Sequence, residues 1–435
     1  MKLKYVLRLS TRILRTHLKR NLLVISAMSI IFGLIFAINL WLQGVEDSYF
    51  ALASRATNGQ VIISASSNPE SLSPGITSPA TRDDMVADIE SHGGRVLADA
   101  DRFGIFDSVI LPADLVQNNI EIDPAQAPAD AAPVLASTFL GEQLLGRQFA
   151  SDTTPTLKDY ETFRKDLIGQ TFTDAYGAKY YVVGLAPGNF HIASLSFKQL
   201  DRTNGNLLNP LLNYISTPGG APIAIDDGRR DLWQSGDNPL DAVYADSVVA
   251  IFDDPDLAYD YFRHSQARFP NVDFPNRTYS ASLIAGPSPE TQYIFGIINL
   301  VAVIISSVLG LVAAIIVIFT IIRLLDQDRQ NIALYYSLGA TPGQVCAIYL
   351  CYFLELMIGA AIFAFVLASA LVLLFSFLNQ DLLSLQAMLS FGLASAPQVV
   401  WYGLSPVNSI VVGAVILLTL PVICATIERY ARQNT

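Results

Sequence analysis

One apolar run near the start of the chain and three near its end bracket about 250 residues of polar, acidic sequence. This one-plus-three layout limits the fold more than any single motif. The first run, Leu22 to Leu42, holds 21 residues without a charge. As a helix it is long enough to cross a hydrocarbon core of roughly 30 Å. A basic start followed by an apolar run is also how a signal peptide begins. This run is too long for a signal core, however, and its flank from Trp41 to Phe50 lacks a small-x-small cleavage site. Further spans are predicted over 293–322, 345–378 and 410–427. The first two of these exceed the roughly 20 residues a crossing needs, so they are expected to tilt or to project as stalks. Pro421 predicts a kink in the last.

Charge orients the layout. Only 15% of residues are charged, where about a quarter is usual for soluble proteins. Residues 1–21 carry seven Lys/Arg and no acid, whereas 43–292 carry 16 Lys/Arg and 33 Asp/Glu, a net −17. A segment that acidic is repelled by nucleic acid, which excludes that class of partner. The positive-inside rule puts residues 1–21 in the cytoplasm and 43–292 outside it. The 323–344 loop then returns inside with Arg323 and Arg329. Residues 379–409, without Lys or Arg, lie outside, and the 428–435 tail lies inside with Arg429 and Arg432. Within the first 21 residues, Leu3, Val6, Leu7, Ser10, Ile13, Leu14 and Leu18 repeat at helical spacing opposite Lys4, Arg8, Arg12, Arg15 and Lys19. This predicts an amphipathic basic helix lying along the inner leaflet.

The fold class expected is therefore an α-helical membrane protein with four transmembrane helices and a large α+β extracytoplasmic domain, of one or two lobes, between the first and second. In that domain Gln60–Ala65, Tyr180–Leu185 and Ser247–Phe252 read as strands. Arg82–His92 and Pro255–Phe269 read as helices, the second capped by Asp253 or Asp254. Stretches 122–133 and 219–227, rich in Pro, Ala, Gly and Asp, read as loops. Cys346, Cys351 and Cys424 all fall in apolar runs, so no disulfide framework supports the polar segment. No catalytic residue and no metal site is expected. Phosphate-loop, nucleophile-elbow and His-Glu-x-x-His patterns are all missing, and His17, His92, His191 and His264 lack ligand spacing. The pairs Asp83–Asp84, Asp226–Asp227 and Asp253–Asp254 read as caps and turns, and Asn276-Arg277-Thr278 matches the glycosylation sequon.

The most specific local pattern is the inner loop from Asp328 to Pro342. Arg329 to Leu338 predicts a short helix with Ile332, Tyr335, Tyr336 and Leu338 partly on one face. Gly339 ends it, and Thr341-Pro342 starts the next element. A short helix joined by a Gly turn to a long span is a compact lever. Here the chain resembles the FtsX-like permeases of ABC transporters (type VII), which include macrolide-exporter, lipoprotein-release and cell-division permeases. The resemblance rests on Ile332, Ala333, Leu334, Tyr335, Tyr336, Ser337, Leu338, Gly339, Ala340 and Thr341, followed by Phe353-Leu354-Glu355 and Gly359. The one-plus-three layout and the basic N-terminal helix also match. So does Leu167-Ile168-Gly169-Gln170 leading to Tyr181-Val182-Val183-Gly184. Tyr336 stands where the family often has Arg or Lys, and Gln330-Asn331 replaces a charged lead-in.

The resemblance implies a multi-pass subunit of a bacterial cell membrane that pairs with a second permease, identical or not, and with a separate ABC ATPase. ATP and Mg belong to that ATPase, and this chain needs no cofactor. Arg329, Ile332, Tyr335, Tyr336, Leu338, Gly339, Ala340 and Thr341 are then the ATPase-coupling residues, while Glu355 and Gly359 make structural contacts in the membrane. The implied function is mechanotransmission: ATPase closure moves the extracytoplasmic domain and drives efflux or extraction of a drug, peptide or lipoprotein-like substrate. The alternative reading is a membrane-anchored sensor or partner-activating protein without transport.

Overall fold

The computed structural model describes residues 3–16, 18–67, 80–97, 102–103, 108–146, 156–174, 177–187, 222–233, 247–268, 278–287 and 289–434. The sequon residues Asn276 and Arg277 and the isolated His17 and His191 lie outside them. The chain divides into two compact units. The first comprises Met1–Asp47, Gly296–Leu378 and Val400–Thr435, and the second Ser48–Phe295 and Asn379–Val399.

Helices dominate the first unit. They are α1 (Leu3–Thr16) and α2 (Leu18–Ala56) and, after the second unit's α3 to α7, α8 (Pro289–Gln327), α9 (Arg329–Ser337), α10 (Pro342–Leu378) and α12 (Val407–Asn434). Of these, α2, α8, α10 and α12 have the length and apolar composition to cross a membrane. All four outrun the predicted spans because no breaker stands at the ends of the apolar runs. The first continues through polar residues until Asn58 and Gly59 take positive φ. Pro421 lies inside α12, which is assigned as one helix through it. The bundle core gathers Phe32, Ile35, Leu40, Leu356, Met357 and Ala360, all nearly inaccessible. Where α2 and α10 meet, small residues let the backbones approach. Ala360, Ala364 and Ala368 are fully buried, and the Ser29 hydroxyl donates to the Ala360 carbonyl at 3.0 Å. A buried polar triad joins α2, α8 and α12. The Asn39 amide lies 3.1 Å from Ser306 Oγ and donates to Asn408 Oδ1 at 3.0 Å.

In the second unit a five-stranded sheet has the order β10-β11-β1-β9-β2, and a six-stranded sheet the order β3-β4-β8-β5-β7-β6. The strands are β1 (Val61–Ser66), β2 (Arg95–Val96), β3 (Arg102–Phe103), β4 (Ser108–Pro112), β5 (Ala132–Ala136), β6 (Thr171–Thr173), β7 (Lys179–Leu185), β8 (Ile223–Asp226), β9 (Ser247–Phe252), β10 (Ala267–Arg268) and β11 (Tyr279–Ala285). The five-stranded sheet is antiparallel except for β10 beside β11, and the six-stranded one is mixed. Period-two alternation divides each central strand between two cores. Val61, Ile63 and Ala65 of β1 and Val248, Ala250 and Phe252 of β9 pack under α3 (Arg82–Ser91) and α7 (Pro255–His264). Ile62, Val249 and Ile251 face instead Val109, Leu111, Leu135, Val183 and Ile225 of the six-stranded sheet. With both faces covered, these strands read as unbroken apolar runs. Helices α4 (Thr138–Leu145) and α5 (Leu157–Leu167) cover the far side of the second sheet. A one-turn α6 (Arg230–Trp233) follows β8.

Three sequence readings change here. The stretch 219–227 is not wholly loop, since Ile223–Asp226 forms β8, its first three residues buried where it pairs with β4 and β5. The stretch 122–133 is mostly turn, but its last two residues open β5. The helix predicted over 255–269 stops at His264, so that Ala267–Arg268 can add an edge strand. The segment after α10 is also more than a connector. Residues Gln380–Phe391 form α11, whose Leu385, Met388 and Leu389 join the core over the six-stranded sheet. Arg164, buried on α5, holds this segment. It pairs with Glu121 through Nε at 2.9 Å and donates from Nη2 to the Ala394 carbonyl at 2.5 Å. Gly392 ends α11 in the left-handed region at φ 59°, and an added Cβ would sit 2.4 Å from the Ala186 carbonyl oxygen.

Candidate functional site

The residues singled out by the sequence gather at one end of the bundle, around α9. Its start is set by a single junction residue, Asp328, between two helices. Asp328 is 3% exposed and caps nothing with its side chain. It pairs instead with Arg20 at the start of α2, at 3.4 Å. The far end of α9 is a Schellman motif. The Gly339 amide donates to the Tyr336 carbonyl at 2.9 Å and the Ala340 amide to the Tyr335 carbonyl at 3.0 Å. This geometry needs Gly339 in the left-handed region, where its φ is 83°. Thr341 then opens α10, its amide donating to Gln344 Oε1 at 3.1 Å, with Pro342 as first helical residue.

The eight predicted coupling residues do not share one exposed face. Ile332 is fully buried in the bundle core, with Tyr335, Tyr336 and Ala340 packed against that core. The Tyr336 hydroxyl donates to the Ile427 carbonyl on α12 at 3.4 Å. Burial, foremost, raises the phenol pKa of both tyrosines. Arg329 stacks over the Tyr430 ring at 5.6 Å. What faces outward is Leu338, 76% exposed, with Gly339, Thr341 and a residue the sequence reading passed over as part of the outward face, Leu334, 57% exposed. Leu334 and Leu338 stand four residues apart, hence one above the other on the helix. Two large apolar side chains flanked by exposed Gln330, Asn331 and Ser337 make a neutral, apolar ridge. The i,i+4 spacing was readable in the sequence. The inward and outward faces were not, because both carry large apolar residues.

Glu355, in the first half of α10, accepts hydrogen bonds from Ser10 at 2.7 Å and Thr11 at 3.3 Å, both on α1. That contact changes the reading of the N-terminal helix. Val6 and Ser10 are buried and Ile13 and Leu14 pack on the bundle core, while Arg8, Arg12 and Arg15 stay exposed. Part of the stripe, Val6, Ser10, Ile13 and Leu14, is thus packed on protein, while Leu18 stays exposed. Two hydroxyls that satisfy a carboxylate among apolar helices give the physical reason. Just beyond, Tyr352 donates to Asn21 at 2.6 Å, and Asn21 donates to the Leu14 carbonyl at 2.8 Å. Gly359 admits Ile25 of α2, which would lie 3.4 Å from an added Cβ.

Around α9, then, polar or aromatic contacts tie the start of α2 and the end of α12 to one short helix, which the Asp328 junction joins to α8 and the Gly339 turn to α10. Among the described residues no group of three or more His, Cys, Asp or Glu could hold a metal ion. No family model matches the chain, and no curated protein matches it in sequence.

Proposed function

We propose that the chain is the permease-type subunit of an ABC transporter, moved by a separate ATPase that docks on α9. ATPase closure would push the Leu334–Leu338 ridge. The ties of Ile332, Tyr335 and Tyr336 to the bundle would pass the push to α10 and α12. The α/β unit would lie outside the cell membrane with both termini inside, and a second permease would complete the assembly. Efflux or extraction of a drug, peptide or lipoprotein-like substrate is the work this arrangement suits. The observation that carries the reading is the split within α9: one face locked into the bundle, the other an apolar ridge open to a partner. Buried apolar anchors surrounded by neutral polar groups are what tight protein contacts are built from. Because the ridge is neutral, docking on it should depend little on salt.

The test is recovery of the tagged full-length chain from its own membranes in mild detergent. An ATP-hydrolysing subunit should accompany it. Leu338→Asp should lower that recovery about tenfold or more without lowering the amount of chain in the membrane, because Leu338 supports no core. If the unaltered chain never brings down an ATPase, the reading fails and a membrane-anchored sensor takes its place.

A further inference from the structure

At the α9 end of the bundle a cleft of about 360 Å³ opens between α2 and α8. Arg20, Arg323 and Gln327 line its polar end, and Leu23, Ala27 and Ile316 are among its apolar walls. Leu23 is 72% and Ile316 42% exposed, so the apolar part opens onto the outer surface of the bundle. Arg20 is only partly neutralised. Its Nη1 faces Asp328 at 3.4 Å and Gln327 at 3.3 Å. The nearby acid Asp326 is engaged by the Tyr430 hydroxyl on α12. Two guanidinium groups and no carboxylate line the cleft itself, so its polar end complements the negative charge of a phosphodiester.

We infer that this cleft binds an anionic phospholipid of the leaflet at the α9 end. The phosphate sits between Arg20 and Arg323, and an acyl chain runs along Leu23, Ala27 and Ile316. A guanidinium presents paired donors that match phosphate oxygens. Basic clefts between membrane helices on the cytoplasmic side are suited to such headgroups. The bound lipid bridges the start of α2 and the end of α8, next to the Asp328 junction that sets α9. The inference rests on the membrane reading above but not on an ATPase partner.

The purified full-length chain in mild detergent is titrated with dioleoylphosphatidylglycerol, with dioleoylphosphatidylcholine and with inorganic phosphate, and bound molecules are counted by native mass spectrometry. The first phosphatidylglycerol should bind more tightly than phosphatidylcholine, and millimolar phosphate should not displace it. Arg323→Gln should weaken phosphatidylglycerol about fivefold, the equivalent of about 1 kcal/mol for one guanidinium at a membrane surface. It should leave phosphatidylcholine unchanged. Ala27→Trp, which fills the apolar wall, should weaken both. Lys19→Gln, outside the cleft, should change neither. An unchanged lipid ratio in Arg323→Gln overturns the proposal, as does an equal loss in Lys19→Gln. Displacement by inorganic phosphate would also overturn it, making this a site for soluble phosphate. Flotation of the chain with phosphatidylcholine vesicles separates the two failures: a chain that does not float refutes the membrane reading itself.

Discussion

The two units of this chain bury residues by opposite rules. In the α/β unit, water is the competing solvent and apolar burial does most of the work. The central strands are covered on both faces, at about 1.5–3 kcal/mol for each large side chain removed from water. The helix bundle leaves Phe319, Phe377 and Leu417 about 70% exposed or more, so apolar burial alone does not select its contacts. Small-residue approach and buried polar ties select them instead: Ser29 on the Ala360 carbonyl, the Asn39 triad, Ser10 and Thr11 on Glu355. A polar group is thus an exception in one core and a fastener in the other.

The sharpest way to break the comparison is to remove the main ion pair that the α/β unit buries. Arg164→Met should keep the volume and lose the contacts to Glu121 and the Ala394 carbonyl. The expected cost is about 2–3 kcal/mol, at the lower end because Glu121 remains partly solvated. Burial already pushes the Glu121 carboxyl above the usual range, and Arg164 opposes that push. Adding Glu121→Gln should therefore recover part of the loss. Hydrogen exchange on the full chain should show it first in Gln380–Phe391, which Arg164 ties down. Unchanged protection there would mean that apolar packing alone seats α11.

The matching change in the bundle is Asn39→Leu. If polar ties are fasteners of modest strength in a membrane bundle, thermal unfolding in detergent should show a loss of about 1 kcal/mol. A loss as large as that of Arg164→Met would erase the contrast between the two cores.

Much of this was legible in the sequence because it depends on local chemistry. The strands near 61, 180 and 247, the helices near 82 and 255, the four apolar runs and the Gly339 turn all follow from spacing and caps. What escaped depends on partners distant in the chain. Gln380–Phe391 scatters polar residues among apolar ones and carries no clean helical stripe, so only the core it joins reveals it. Residues Ile223–Asp226 look like turn sequence until β4 and β5 claim their hydrogen bonds. Val6 and Ser10 fit a leaflet-facing stripe until Glu355, some 345 residues on, captures the hydroxyl. In α9, spacing placed the helix itself, but Ile332 is buried in the bundle core while Leu338 faces outward.

The smallest expected effect uses one capping device in both units. In the α/β unit, Thr81 with Asp84 opens α3 and Thr156 with Asp159 opens α5, each as a reciprocal capping box. Hydrogen bonds from the Thr81 backbone and then its side chain lower the Asp84 pKa, and those from the Thr156 side chain and then its backbone lower that of Asp159. A carboxylate lowered on folding contributes stability above its unfolded pKa, and that contribution is lost as the pH falls through the folded value. Protection of the first turns of α3 and α5, referred to unfolded exchange rates, should thus decline below the ordinary aspartate range. The start of α10 uses Thr341 with Gln344, which does not titrate. Its first turn should hold its protection over the same interval. Asp159→Asn should remove the pH dependence from α5 and leave that of α3. Equal acid sensitivity at α3, α5 and the start of α10 would show that general charge repulsion, and not these caps, opens the helices.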